Sequence, residues 1–324
     1  MTKLLIVVFS SLSIFGFSQS YAPAAGEPGS TAIDKNDARF KGWATGIDVE
    51  RGFVNIEDTL FEAQGSNRAT FGDPELALGP AVGTAEDVVS LGDKGIATLT
   101  FDQPVFNGPG FDFAVFENSF SDTYLEFAHV EVSSDGQNFV RFPSHSEVQT
   151  NVQIHGFGTT DPRMINNLAG KYRAGFGTPF DLDQLKDSSN LDVTQITHIR
   201  IIDVVGSVGD SATYDSHGNK INEPFSTPYE SGGFDLEAVG VLNQVASLSG
   251  EESKLINIYP NPAKSYTSVD LNGQQFDLMI FDSYGKCVHK SSKNFKKVVK
   301  LNPGVYHFQI ITSSEMFINK IVFN

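Results

Sequence analysis

A chain of 324 residues with 39 Asp/Glu against 23 Lys/Arg, net −16, repels phosphate, so nucleic acid is excluded as a partner. The charge is uneven: residues 254–324 hold nine Lys and four Asp/Glu, net +5, which leaves −21 for residues 1–253 and permits divalent cations and neutral or cationic ligands. The one cysteine, Cys287, excludes an intrachain disulfide.

Lys3, the apolar run "LLIVVFSSLSIFGF" and the small residues Gly16 and Ser18 predict a cleavable signal peptide over 1–18. The run is too short to serve comfortably as a membrane anchor, so the chain is expected to be exported. Downstream, short β-branched and aromatic runs recur between Gly, Pro, Asn and Asp, the pattern of an all-β protein. "GIATLTF" (95–101) alternates, and "HVEVSSDGQNFVRF" (129–142) predicts a hairpin about Asp135-Gly136. "ITHIRIIDVVG" (196–206), apolar on both faces, predicts a central strand, and "GGFDLEAVGVLN" (232–243) a closing one. A single short helix is predicted over "TPFDLDQLKD" (178–187), capped by Thr178 with Pro179 in its first turn. Composition turns small and polar at 243–254, a linker. Beyond it comes a second β unit with strands near "LMIFDSYGKCV" and "VYHFQIIT".

That second unit, 255–324, carries "IYPNPAKS" (258–265), "IFDSYGKCV" (280–288), "LNPGVYHFQI" (301–310) and "INKIVFN" (318–324) in order. It resembles the type A C-terminal sorting domain of Bacteroidetes type IX secretion. The resemblance implies a small immunoglobulin-like sandwich, engagement of the type IX machinery, and delivery to the outer surface or the medium. Residues 19–242, the cargo, contain "GWATG", "ATFGDPELALGPA", "GPGFDFAVFEN", "LAGKYRAGFGTPFDL" and "GGFDLEAVGV". They resemble a family of bacterial surface proteins without an assigned activity. "DPELALG" and "VEVSSDGQNF" also resemble discoidin-type, galactose-binding-like jelly rolls, which implies a jelly-roll β-sandwich but no particular ligand. Some relatives of that kind sit among cobalamin-capture genes, a lead on ligand only.

Within the cargo, "GPGFDFAVFENSF" (108–120) places Asp112 among phenylalanines and ends its apolar run on Glu117-Asn118. Alternation puts Phe111, Phe113 and Val115 on one face, and Asp112 with Ala114 and Phe116 on the other. Asp203 falls on the face of Ile199, Ile201 and Val205, while Asp235 and Glu237 leave the closing strand together. Carboxylates in apolar surroundings need a cation or several donors. Calcium, which takes oxygens at loop–strand junctions, is the expected cofactor. The galactose-binding-like resemblance implies that Asp235 and Glu237 share an ion with Asp48 or Asp73. The other outcomes are pairing with Arg200, Arg173 or Lys171, or exposure at strand ends. The histidines lack ligand-like spacing for zinc.

Two stretches present aromatic rings. "GKYRAGFGTPF" (170–180) offers Tyr172, Arg173 and Phe176; the long segment "TYDSHGNKINEPFSTPYESGG" (213–233) offers Phe225, Tyr229 and a tight turn at Asp215–Asn219. Rings on loops suit the faces of sugars or other flat ligands, although rings at such places also plug the ends of a sandwich, as Trp43 is expected to do. The expected function is a secreted or cell-surface protein capturing an extracellular glycan or small nutrient, with calcium support. The alternatives are a carbohydrate hydrolase or lyase using Asp112, Glu117 or Asp203, and an adhesion or matrix protein. G-x-S-x-G, H-E-x-x-H and phosphate-loop motifs are absent from the sequence.

Overall fold

The computed structural model describes residues 20–244, 257–271, 275–312 and 316–324. The expected signal peptide and most of the expected linker lie outside the described residues. The chain divides into two compact units, with the boundary between Val245 and Ala246.

The first unit is nearly all β. Its strands are β1 (Ile33–Asp34), β2 (Gly42–Trp43), β3 (Gly46–Glu50), β4 (Val89–Ser90), β5 (Ile96–Val105), β6 (Phe113–Glu117), β7 (Ala128–Ser133), β8 (Val140–Arg141), β9 (His145–Ser146), β10 (Ile165–Asn166), β11 (Phe176–Phe180), β12 (Ile196–Asp203) and β13 (Asp235–Val241). One sheet runs β1-β11-β6-β13-β2, with β4 also on β13, and the facing sheet runs β3-β5-β12-β7-β8. The longer strands cross from sheet to sheet as the chain proceeds, β5 to β6 to β7 and later β11 to β12 to β13. Neighbours are antiparallel. This is the expected sandwich.

The alternation read from sequence decides what fills it. Phe113 and Val115 from β6 meet Leu99, Val130, Ile199 and Ile201 in the core between the sheets. Ala114 and Phe116 point the other way, into a smaller cluster where Trp43 and Phe40 pack over the outer face. Phe111 was expected beside Phe113 but packs in the outer cluster. The strand begins only at Phe113, and Asp112 before it redirects the chain. The Asp135-Gly136 hairpin forms as expected, with Gly136 at φ 74 and β8 on β7.

The predicted helix at 178–187 does not form. Phe176–Phe180 is a strand paired with β6, Thr178 opposite Val115, and only a four-residue 3-10 turn follows, Leu182–Leu185, capped by Asp181. Burial of Phe180, Leu182 and Leu185 in the main core outweighs local helix preference. The outer face of β12, expected to be covered, is half-exposed: Arg200 lies over Phe139 at 3.4 Å and pairs with Glu131 at 3.6 Å.

The second unit has strands β14 (Asn257–Tyr259), β15 (Thr267–Asp270), β16 (Phe276–Asp282), β17 (Cys287–Asn294), β18 (Lys296–Val299), β19 (Gly304–Ile311) and β20 (Met316–Phe323). They form the sheets β14-β15-β18 and β17-β16-β19-β20 around Phe276, Leu278, Ile280, Phe308 and Ile310. "DSYG" closes the β16–β17 hairpin, with the Gly285 N–H donating to the Asp282 carbonyl at 3.0 Å.

Candidate functional site

Five positions separate the carboxylates at the two ends of β6, Asp112 just before it and Glu117 its last residue, a span of about 17 Å along an extended strand. Asp112, at the entry, is fully buried, and hydrogen-bond donors surround it. Oδ1 accepts from the Gly108 N–H and from Asn243 Nδ2, both at 2.8 Å, and Oδ2 accepts from the Leu182 N–H at 2.7 Å. Burial raises its pKa, and these donors oppose the rise. One side chain thus ties the 108 turn, the segment after β11 and Asn243, two residues beyond β13. It is a structural staple, remote from the other acids expected to share an ion with it.

Glu117, at the exit, is 1 % exposed. Oε2 accepts from the Ser119 N–H at 2.8 Å, and Oε1 has no partner. Around it the fold gathers further buried acids. Asp235 accepts from the Ser90 hydroxyl and from Asn118 Nδ2. Asp203 accepts from the N–H groups of Lys94 at 2.9 Å and Phe234 at 2.7 Å. Glu223 accepts from the Phe127 N–H, and Asp93 from the Ile56 N–H. Gly233 makes the Asp203 contact possible: it sits at φ 76, and a Cβ there would lie 2.7 Å from the Gly92 backbone and 2.8 Å from Asp203 Oδ1.

These groups feel one another. Burial and then Asp235 push Glu117 well above the usual carboxylate range. Burial, then Asp235, Glu117 and Asp203, do the same to Glu126. Burial, then Asp203 and Glu126, raise Glu223, and burial, then Asp93, raises Asp203. Burial takes Asp235 and Asp93 to about 6. No ion pair among the described residues uses any of the six. Arg51, the cation that draws on Asp235, already donates to the carbonyls of Phe71, Ser90 and Gly72.

An aromatic run begins at this group. Burial, then Glu126 and Glu117, raise the pKa of the Tyr124 hydroxyl. The Tyr124 ring stacks on Phe120 at 4.6 Å; Phe157 follows at 6.5 Å, and Tyr229 lies 6.4 Å beyond Phe157. Phe120, Phe157 and Tyr229 are 72 %, 68 % and 48 % exposed. Three loops supply the rings, and two amides, buried Asn222 and half-buried Gln153, lock two of the loops in place. Asn222 Oδ1 accepts from the Ile154 N–H, and its Nδ2 donates to the Gln149 and Val152 carbonyls. Gln153 donates to the Gly206 carbonyl and accepts from the Val208 N–H. Beneath these loops lies a separate small core of Leu125, Phe127, Ile165, Leu168, Val204 and Ile221.

The expected site residues therefore divide. Glu117, Asp203 and Asp235 come together. Glu237, in the irregular register of β13, acts on Glu117 electrostatically; Oε1 accepts from the Gly83 N–H and Oε2 has no partner. Asp48 and Asp73 are exposed, and Asp73 acts with Asp235 on Arg51. Asp112 lies at the far end of β6, too distant from Glu117 for the paired carboxylates of a glycosidase. Among the described residues no three His, Cys, Asp or Glu side chains converge as a metal-binding group.

Of the expected ligand contacts, Tyr229 joins the aromatic run. Tyr172 is buried with its hydroxyl 2.8 Å from Thr31, and Phe225 is also buried; both pack. Arg173 pairs with Asp122 and lies over half-buried Phe176 at 4.6 Å, bracing the loop that carries Phe120. The Asp215 carboxylate is filled by its own turn, accepting from Ser146, His217 and Asn219. Lys171 Nζ donates to the Ile165 carbonyl. Sequence reading missed Asp93, Glu126 and Glu223, and also Phe120, Tyr124 and Phe157. Glu126 carried the signal that marked Asp203, an acid between buried apolar neighbours. Phe120 and Phe157 stand between turn-forming residues.

Residues 257–324 match the secretion system C-terminal sorting domain. The match supports a type IX sorting tail, and with it engagement of that secretion machinery and a secreted or outer-surface destination. It leaves the first unit unassigned. No curated protein matches the chain. Among solved structures, PorZ, described as an essential bacterial surface component of the type IX secretion system of Porphyromonas gingivalis, is 12 % identical with a TM-score of 0.20. The match covers 27 % of this chain and 14 % of PorZ, far less than two thirds of that protein's length. No helix among the described residues is long and apolar enough to cross a membrane.

Proposed function

We propose that the first unit is an extracellular binding module that captures a glycan or another small nutrient on the run Phe120–Tyr124–Phe157–Tyr229, after delivery by the sorting tail. The observation that carries this reading is the exposure of three of these rings on braced loops. Apolar ring faces held in open solvent are a cost to the folded protein alone and an asset once a flat ligand covers them. Titration calorimetry of the chain against a glycan panel tests it. Phe157→Ala and Phe120→Ala should each weaken binding roughly tenfold to a hundredfold. Failure of every glycan and cobalamin to bind removes the reading.

Calcium belongs to this proposal in one place. The oxygens Glu117 Oε1 and Glu237 Oε2 are each without a partner, and a cation would take them as ligands with amide and main-chain oxygens completing its shell. A bound ion would neutralise buried charge and fasten β6 to β13. Chelation should then lower the melting temperature of the wild-type chain and leave Glu117→Gln unchanged.

A further inference from the structure

The rings of the aromatic run are set in a row. Among the described residues each touches only its neighbours in the order Phe120, Tyr124, Phe157, Tyr229, and no further ring contact closes the row into a cluster. Half-buried Tyr124 lies between Phe120 and Phe157, so the three exposed rings are three separate points of contact. Neighbouring planes are turned against each other by 22°, 28° and 46°, and no single flat surface touches them all. Main-chain contacts tie the three loops together. The Thr160 N–H donates to the Thr123 carbonyl at 2.7 Å, and the Phe225 N–H to the Ile154 carbonyl at 3.0 Å. Gly156 runs close against the same loop, where a Cβ would lie 2.6 Å from the Ser226 carbonyl oxygen. The spacing of the rings is therefore set before a ligand arrives. Beside them stands exposed His155, whose Nδ1 accepts from the Phe157 N–H at 3.3 Å. A neutral imidazole in that contact carries its proton on Nε2 and offers a donor to a hydroxyl.

A compact ligand covers one ring and leaves the others wet, and a flat crystalline face cannot follow the turn from plane to plane. A single chain of pyranose rings meets both conditions. Each unit sets an apolar C–H face on one aromatic ring, and rotation at the glycosidic bonds lets successive units follow the twist. We propose that the run binds one strand of a linear, soluble glycan lengthwise, with three or more sugar units engaged, one for each exposed ring. This rests on the binding-module reading for its location and narrows small nutrients in general to an oligosaccharide recognised by its length. Because the row is braced, each sugar added along it gains contact with no further ordering of the protein. Affinity climbs with chain length until the row is covered and then stops.

The test is calorimetry of the purified chain against ladders from dimer to hexamer: β-1,4-linked glucose, xylose, mannose and N-acetylglucosamine, and α-1,4-linked glucose. Cyanocobalamin serves as the compact probe and microcrystalline cellulose, in a pull-down, as the flat one. In a ladder that binds, affinity should rise at least about tenfold from dimer to tetramer and level off by the hexamer. Phe120→Ala and Tyr229→Ala, at the two ends of the row, should each erase most of that rise, with melting curves as the control for folding. Phe157→Ala, at the centre of the exposed rings, should weaken every length. Equal affinity at every length overturns the inference and leaves the glycan reading standing, and so does a rise that persists in both end variants. Cobalamin binding without any ladder overturns the inference and leaves capture of a small nutrient standing. Binding to cellulose alone also overturns it. No binding of any probe overturns both.

Discussion

The two ends of β6 handle the same problem, a buried carboxylate, in opposite ways. At Asp112 three donors from separate segments converge on one side chain, and the charge becomes a joint between loops. At Glu117 one oxygen is unpartnered, and further acids are added around it instead of donors. Burial alone does not distinguish structure from function, since both residues are almost wholly enclosed. What distinguishes them is whether the hydrogen-bonding capacity is used up.

The sharpest way to break the comparison is Asp112→Ala. It strands the Gly108, Leu182 and Asn243 donors and should cost about 3–5 kcal/mol in a denaturant titration. A loss below about 1 kcal/mol would mean that Asp112 is not a staple. Next in size is the pH dependence of the Glu117 end. An acid whose pKa is higher in the folded chain binds its proton more tightly there. Its stabilisation is therefore complete below the ordinary carboxylate range and lost as pH rises through the folded value. For Asp235, raised from 3.8 to about 6, that is on the order of 2–3 kcal/mol lost between about pH 4 and pH 7. Melting temperature should decline over that interval, and Asp235→Asn should flatten the slope.

Glu117→Gln sharpens the contrast with a smaller effect of opposite sign. Removing a buried charge without changing shape should stabilise the ion-free chain by about 1 kcal/mol at neutral pH; destabilisation would show that the carboxylate is satisfied by something else. The smallest expected change in stability is for Phe157→Ala. A ring 68 % exposed contributes little packing, so the melting curve should move by less than about 0.5 kcal/mol while ligand binding weakens roughly tenfold to a hundredfold. A large drop in stability would make the ring a plug.

Much of this was legible in the chain itself. The anomaly of Asp203 on an apolar face pointed to the group of buried acids, because period-two alternation is a local property and β12 keeps it. The same logic misplaced Asp112, whose donors come from residues 4, 70 and 131 positions away. It also misread 178–187 as a helix, because pairing with β6 lies outside any local window. The aromatic run was half-visible: Tyr229 was found, but its partners sit on two other loops.

The all-β class, the hairpin turns, the two-unit organisation and the sorting-tail motifs follow from residue order, since each rests on alternation or turn chemistry within a few positions. Which acids share a neighbourhood, and which rings line up, follows only from the closing of the sandwich. Loops distant in sequence become neighbours at one end of the sheets, and that convergence is a product of long-range packing.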